Sequence, residues 1–456
     1  MDFYNRTEEI ATLNKIWEGY DGRPTFAAVY GRRRCGKSTL LNRLRRPGDV
    51  YFAASAGGAA LQRSWLANAL AEKLPGFGIG TYADYERLLS ALEQRTTEPF
   101  TLILDEFPLL VQEDISLASL LQHYTDRRPP GKFNLVVCGS SQQMMHDAVL
   151  GGTAPLYGRA DAIVRVHPLT AGWLTEALRE LSPDQIVMEY AVWGGIPRYW
   201  ETRRKYDSLR EAVTQSVFSP QGLYYDEAQR LLLDDMRDIT QPISLLSLVA
   251  QGVHRPTEMG GRLGRKASDI SRPLKRLVAL GYLARETPLL TGTRNTKRVL
   301  YRLADPFLRF YYRFVHPNRT MLEAGAAIQL WEQTEANFSQ YVAQTWEDLC
   351  RTAIYRKLVA QNVTRAGRWW GKDIHGGEME IDLLATNMNK DYWIAVECKW
   401  NLPTDIARIR HQLEAKVRRL PGYNNAPIQT YVATRTPEGP VPDYVLTPAR
   451  VLSVLR

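Results

Sequence analysis

The sequence predicts an α/β fold in successive modules. A parallel sheet with a phosphate-binding loop comes first, then a small module of three helices and a hairpin, then a second α/β module. Three stretches carry this prediction. Gly31-Arg32-Arg33-Arg34-Cys35-Gly36-Lys37-Ser38 fits G-x-x-x-x-G-K-[ST]. Residues 243–303 change pattern to short amphipathic helices followed by two strand-like runs. Asp382, Glu397 and Lys399 are spaced D-x14-E-x-K around an apolar strand.

The first stretch is decided by its flanks. Phe26-Ala-Ala-Val-Tyr30 is a short apolar run of the buried-strand type, and Thr39-Leu-Leu-Asn-Arg-Leu44 opens a helix. That is the setting of a P-loop, hence of a P-loop NTPase sheet. Gly31 and Gly36 let backbone N–H groups turn inward around phosphates, and the helix N-terminus adds its positive dipole end. Arg34, Cys35 and Thr39 lie along the same wrap. Lys37 reaches toward the β- and γ-phosphates of ATP, and the Ser38 hydroxyl is placed for Mg2+. Downstream, Phe100-Thr-Leu-Ile-Leu-Asp105-Glu106 is an apolar strand ending in two acids. Asp105 at its C-terminal end suits the Mg2+ shell, and Glu106 suits polarising an attacking water. Phe133–Cys138 forms a further strand ending in Gly139-Ser140-Ser141. Two roles fit these serines: a bond to the γ-phosphate or the lytic water, and an N-cap for the next helix.

Composition narrows the setting. A chain of 456 residues allows about three domains, and 45% hydrophobic with 23% charged residues is ordinary for a globular protein. No apolar run approaches the roughly 18 residues of a membrane span, and the N-terminus shows no secretory pattern. Cys35, Cys138, Cys350 and Cys398 form no C-x-x-C pair. This speaks against a disulfide framework or zinc site and for a cytoplasmic location. The net charge of +9 is uneven: residues 251–320 hold fifteen Lys/Arg and four Asp/Glu. That is the footprint of a polyanion such as DNA, or a solvated basic face.

In order along the chain, Asn5-Arg6, GRRRCGKS, LILDEFP, GSS, Tyr157-Gly158-Arg159 and Gly194-Gly195-Ile196-Pro197-Arg198-Tyr199 together resemble the archaeal-type ATPase family. This is a branch of P-loop ATPases near AAA+ and STAND proteins, and the resemblance covers residues 1–235. It implies an ATPase core over 1–168 and a helical lid over 169–238. It also implies that Asn5 and Arg6 lie over the adenine and that Gly195 and Pro197 close the base and phosphate side. Arg159 is then a γ-phosphate sensor or arginine finger, acting in cis or in trans, or else a structural arginine with carboxylate partners. A homo-oligomer is open on the same likeness.

Residues 239–304 read as a winged helix-turn-helix. Ile243–Ala250 and Pro256–Leu263 are the first helices, Ser268–Leu280 the third, and Gly281–Glu286 with Lys297–Arg302 the wing. Arg272, Lys275 and Arg276 on the third helix and Lys297 and Arg298 on the wing suit phosphate contacts rather than base reading. A packing role for this module stays open. Residues 305–334 are expected as a linker or hinge, with Asp305–Phe314 serving either as stacking platforms or as a buried aromatic joint.

The last module, residues 335–456, carries Asp382 on one strand and Glu397 and Lys399 on one face of the next. This resembles the PD-(D/E)xK nucleases, a restriction-endonuclease-like α/β fold; Ile381 stands where the proline of that name would be. The resemblance implies Asp382 and Glu397 as Mg2+ ligands, Glu347 as a helix-borne third acid, Lys399 as the residue handling the attacking water, and Gln412 as a polar helix position. The expected protein is an Mg2+-dependent ATPase acting on DNA, with an Mg2+-dependent endonuclease module. The alternative is a STAND-like switch or DNA-binding regulator whose nuclease fold is inert.

Overall fold

The computed structural model describes residues 3–18, 22–290, 298–356, 358–359, 362–403 and 405–456. They divide into two compact units: residues 4–168 with 231–237, and residues 169–230 with 238–456 and Phe3.

Five parallel strands form the sheet of the N-terminal unit. They are β1 (Phe26–Tyr30), β2 (Val50–Ala53), β3 (Thr101–Asp105), β4 (Asn134–Gly139) and β5 (Ala162–Arg165), in the spatial order β2-β3-β4-β1-β5. β3 is buried along its whole length, which is why it reads as a continuous apolar run rather than an alternating one. Tyr30 pairs with Gly139 and with Arg165, so the C-terminal ends of β1, β4 and β5 lie together. Ligands of open α/β sheets bind at this edge. β5 stops at Arg165. The Val166 amide makes a last bond to the Tyr30 carbonyl at 2.7 Å, and Pro168 has no N–H to continue the ladder.

The other unit includes helices Pro183–Trp193 and Pro197–Arg203. Helices Thr240–Ala250, Pro256–Arg262 and Ala267–Ala279 follow, then an antiparallel pair, β6 (Leu283–Glu286) and β7 (Leu300–Leu303). Ile270, Leu274 and Leu277 bury one face of the third helix, as its 3.6-residue spacing requires.

Residues 305–334 are not a linker. Asp305 caps helix Pro306–Phe310 by accepting from the Leu308 amide at 2.8 Å, and Phe307, Phe310, Tyr311 and Tyr312 are buried. Phe310 stacks on Phe218 with ring centroids 5.8 Å apart, and Phe307 lies 4.7 Å from Tyr199. So many aromatic rings carry too much apolar area to remain in water. The buried joint, not a stacking platform for bases, is the reading these contacts support.

A mixed sheet completes the unit: β8 (Arg365–Lys372), β9 (Glu378–Thr386), β10 (Trp393–Lys399), β11 (Ile428–Thr434) and β12 (Val445–Leu446), in the order β12-β11-β10-β9-β8. β8, β9 and β10 are antiparallel, and β10, β11 and β12 are parallel. Helix Ile406–Arg418 makes the crossover from β10 to β11. Helix Phe338–Tyr355 is fixed to the sheet by Trp346, whose indole N–H donates to the Ala433 carbonyl at 3.1 Å. Among the described residues no helix is long and apolar enough to cross a membrane.

Candidate functional site

β1 delivers the chain into a loop that needs glycine at two points. A Cβ on Gly31, at φ +151°, would stand 2.3 Å from the Val166 carbonyl oxygen, and Gly36 adopts φ +91° just before helix Lys37–Leu44. Arg34 also takes a left-handed φ, 67°, while Cys35 is fully buried; Thr39 sits in the first turn of the helix. Lys37 is 5% exposed and donates to the carbonyls of Gly31 at 2.8 Å and Arg32 at 3.1 Å. Its ammonium is thereby held inside the curve of the loop. Arg6, also buried, donates to the Cys35 carbonyl at 2.9 Å and pairs with Glu9 at 3.0 Å. Asn5 and Arg6 both have positive φ, 54° and 81°. The Asn5-Arg6 element therefore braces the loop directly.

Asp105, at the end of β3, gathers three donors. Ser38 Oγ donates to Oδ2 at 2.7 Å, the Tyr51 hydroxyl donates to the same oxygen, and the Glu106 amide donates to Oδ1 at 3.0 Å. Burial pushes the Asp105 pKa up, but the bonds from Tyr51 and Ser38 outweigh it and hold the carboxyl below its ordinary value. An ionised carboxylate beside a hydroxyl is a hard-oxygen donor set that fits Mg2+. Glu106 sits at φ 51°, and its Oε2 accepts from the Ser140 amide at 3.1 Å. Ser141 is the cap: its Oγ accepts from the Met144 amide at 3.3 Å at the start of helix Gln142–Met145. Ser141 thus takes the capping role, and Ser140 touches Glu106 through its backbone amide.

Arg159 lies at the opposite edge of the sheet. It precedes β5, its neighbour Asp161 bonds through its amide to the Phe26 carbonyl at the start of β1, and its guanidinium pairs with Asp126 at 2.9 Å. Within its own chain it does not reach the P-loop, which corrects the cis role. The arginine at the nucleotide edge is Arg165, opposite Tyr30 in register, with Nη2 3.1 Å from Gln142 Oε1 and its guanidinium 5.9 Å from the Tyr30 ring centroid. Gly195 and Pro197 belong to the other unit. A Cβ on Gly195 would meet the Leu169 carbonyl oxygen at 2.0 Å, and Pro197 is the first residue of helix Pro197–Arg203.

The second constellation gathers in part. Val396 pairs with Leu383, which brings the next residues, Asp382 and Glu397, side by side. From Leu384 to Ile381, β9 takes three steps while β8 takes two, from Gly367 to Trp369. This irregularity spans Leu383 and Asp382, and a bulge re-aims the side chains it carries. Asp382 Oδ2 accepts from the Cys398 amide at 2.9 Å. Burial and the adjacent Glu397 raise its pKa. Burial and Asp382 push Glu347 up to about 7, and Arg302 on β7 stands 3.9 Å from Glu347. Lys399 pairs with Glu397 at 2.9 Å, and Lys416 takes the other oxygen at 3.2 Å. Lys416, not the exposed Gln412, is the side chain that the following helix sends to the cluster.

Among the described residues no group of three or more His, Cys, Asp or Glu is disposed to hold a metal ion. This departs from the expected ligand set of Glu347, Asp382 and Glu397. Two lysines take the oxygens of Glu397, and one oxygen of Asp382 is committed to a backbone amide. Of the expected DNA contacts, Arg272, Lys275 and Arg276 are exposed on the third helix. Arg298 lies against β8, its Nη1 2.6 Å from where a Cβ of Gly371 would be. Lys297 lies outside the described residues.

The sheet order, the glycine-dependent loop and the Ser38–Asp105–Glu106 assembly define a P-loop ATPase domain. Residues 3–202 match the family model described as an ATPase domain predominantly from Archaea. Residues 311–410 match a second model, described as "Archaea bacterial proteins of unknown function". The chain is 29% identical over 424 residues to the uncharacterized protein MJECL04 of Methanocaldococcus jannaschii, covering 91% of each. Among solved structures it is similar in fold to the Walker-type ATPase PABY2304 of Pyrococcus abyssi, with a TM-score of 0.51 and 18% identity, covering 68% of this chain and 96% of that one. The Aeropyrum pernix ORC2 protein, solved as ADPNP-ADP complexes, gives 0.45 and 16%, covering 72% and 96%.

Proposed function

We propose that this protein is an Mg2+-dependent ATPase whose nucleotide state controls its action on DNA. The observation that carries the ATPase half is the assembly at the C-terminal sheet edge: Lys37 inside the loop, Ser38 on Asp105, and Glu106 turned onto the Ser140 amide. Bound Mg2+ would be held by Ser38 and Asp105 and would offset phosphate charge. Lys37 exchanges its carbonyl partners for the β- and γ-phosphates of ATP. Loop amides from Gly31 to Thr39 take the phosphate oxygens. Glu106 orients and polarises the attacking water, and Arg165 stabilises charge on the γ-phosphate in cis. Asn5 and Arg6 lie on the adenine side. Arg159 acts in trans when two copies meet.

The DNA half is supported by the basic segment and by Arg272, Lys275 and Arg276 standing exposed on the third helix of a helix–helix–helix–hairpin module, read here as a winged helix. DNA binding that weakens steeply with added salt tests it. Binding of a random-sequence duplex that ignores both salt and charge reversal at Arg272 and Lys275 would sink it.

A second reading, phosphodiester cleavage by a PD-(D/E)xK-like module, is favoured by the side-by-side Asp382 and Glu397 with Lys399 on the same strand. Incubation of the protein with plasmid, linear and branched DNA in Mg2+ or Mn2+ decides it. Cleavage lost in Lys399→Ala supports the reading. No cutting of any substrate leaves the switch or DNA-binding regulator.

A further inference from the structure

A cavity of about 630 Å3 opens in the C-terminal unit between the end of β6 and strand β8, and neither the P-loop motif nor the exposed arginines of the third helix line it. That volume lies in the range of small-ligand sites. Four arginines line it, Arg285, Arg351, Arg365 and Arg368, against one carboxylate, Glu286. Glu286 is already shared: Arg351 lies 3.2 Å and Arg302 3.5 Å from it. Arg351 also reaches Asp348 at 3.3 Å, yet its Nε and Nη2 are buried without a hydrogen-bond partner. Arg368 pairs with Glu380. Arg285 and Arg365 have no acidic partner among the described residues. Positive charge gathered this densely favours an anion, and the planar guanidinium fork matches phosphate oxygens.

The cavity also has an aromatic face. Trp370 lines it, half-buried, with the Arg368 guanidinium 5.9 Å from its ring centroid. An indole and a guanidinium side by side form a platform on which a base stacks, as single-strand binding grooves use. Leu289 and Leu290 supply apolar wall beside it. Phosphate donors next to a stacking surface specify one chemistry: a nucleotide unit.

We propose that this cavity binds a nucleotide unit of a single-stranded nucleic acid, with the phosphate on Arg285, Arg351 and Arg365 and the base on Trp370. The inference deepens the DNA-acting reading and rests on it. A free mononucleotide offers the same chemistry and is separated by the test.

The test uses the full chain carrying Lys37→Ala, which silences the P-loop, without added metal. The probes are a fluorescent eight-residue single-stranded oligodeoxynucleotide, a blunt duplex and dAMP as competitor. Arg365→Glu is expected to weaken oligonucleotide binding about tenfold or more and to lower its salt slope by about one. Trp370→Leu is expected to weaken it about fivefold or more. Arg87→Glu, exposed on the other unit, serves as the control and stays within about twofold of the parent. Competition by dAMP at comparable concentration assigns the cavity to free nucleotides; weak competition by dAMP assigns it to a strand. Absent oligonucleotide binding, or unchanged affinity in Arg285→Glu/Arg365→Glu, overturns the proposal. Duplex binding that falls only with Arg272→Glu/Lys275→Glu would then leave the DNA-acting reading standing. Loss of duplex binding in the parent protein would overturn that reading as well.

Discussion

Asp105 collects hydrogen bonds from Ser38, Tyr51 and the Glu106 amide, so at the residue scale one carboxylate ties the P-loop helix and β2 into a single assembly. Much of it was legible, because the P-loop and the two acids are contiguous motifs whose chemistry needs no register. Arg165, Tyr51 and Lys416 were not legible. Each joins its cluster through strand register or helix phase, which residue spacing along one chain does not reveal. Arg159 shows the reverse case. A motif likeness located it, but its position before β5 puts it at the far edge of a parallel sheet. Two substitutions separate the arginines. Arg165→Ala should lower ATP turnover about a hundredfold with ATP binding largely kept, the scale of losing one transition-state donor. Arg159→Ala should leave ATP binding unchanged, and any loss of turnover should depend on protein concentration, as a trans contact requires. Turnover assays across a dilution series read both.

Helices and strands were predicted nearly in place wherever apolar spacing was strong, as in the third helix of residues 267–279. The tight turns were less legible: Gly195 reads as a nucleotide-lid glycine, yet its first constraint is the Leu169 carbonyl. Helices Pro183–Trp193 and Pro197–Arg203 are joined by a buried ion pair, Glu189–Arg203 at 2.8 Å, with the Trp193 indole N–H donating to Glu189 at 2.9 Å. Arg203→Met should destabilise the protein by about 3–5 kcal/mol, because it strands a buried carboxylate. Adding Glu189→Gln should recover much of that, and denaturant melts of the two variants measure it. The hairpin is held in a different way. His254 Nδ1 lies 2.9 Å from the Tyr301 carbonyl, and the Tyr301 amide bonds to the His254 carbonyl at 2.9 Å. Burial lowers the His254 pKa below 6.5, although the bond to the Tyr301 carbonyl works the other way. A depressed histidine gives stability that is present above 6.5 and lost as pH falls through the lowered folded value. Thermal melts should therefore show the wild type losing stability on acidification more than His254→Gln does.

Across the whole molecule, charge and chemistry are segregated. The excess basic residues lie in 251–320, while the assembled ATPase machinery lies in the unit built on residues 4–168. The count of modules was legible from pattern changes, but the packing units were not. Residues 231–237 join the ATPase unit and residues 169–230 join the other one, a division set by tertiary packing that no local pattern encodes. Salt titrations of duplex binding should give a slope that falls by about one for each phosphate-contacting cation removed among Arg272, Lys275 and Arg276. The central claim is that Lys37, Asp105 and Glu106 form a working ATPase. Its most direct test is Mg2+-dependent phosphate release by the wild type, Lys37→Ala and Glu106→Gln, with ATP affinity measured alongside. Lys37→Ala should lose binding and turnover together. Glu106→Gln should bind ATP as the wild type does and turn over about 10²–10⁴-fold more slowly. Turnover by Glu106→Gln and Lys37→Ala at the wild-type rate would contradict the account.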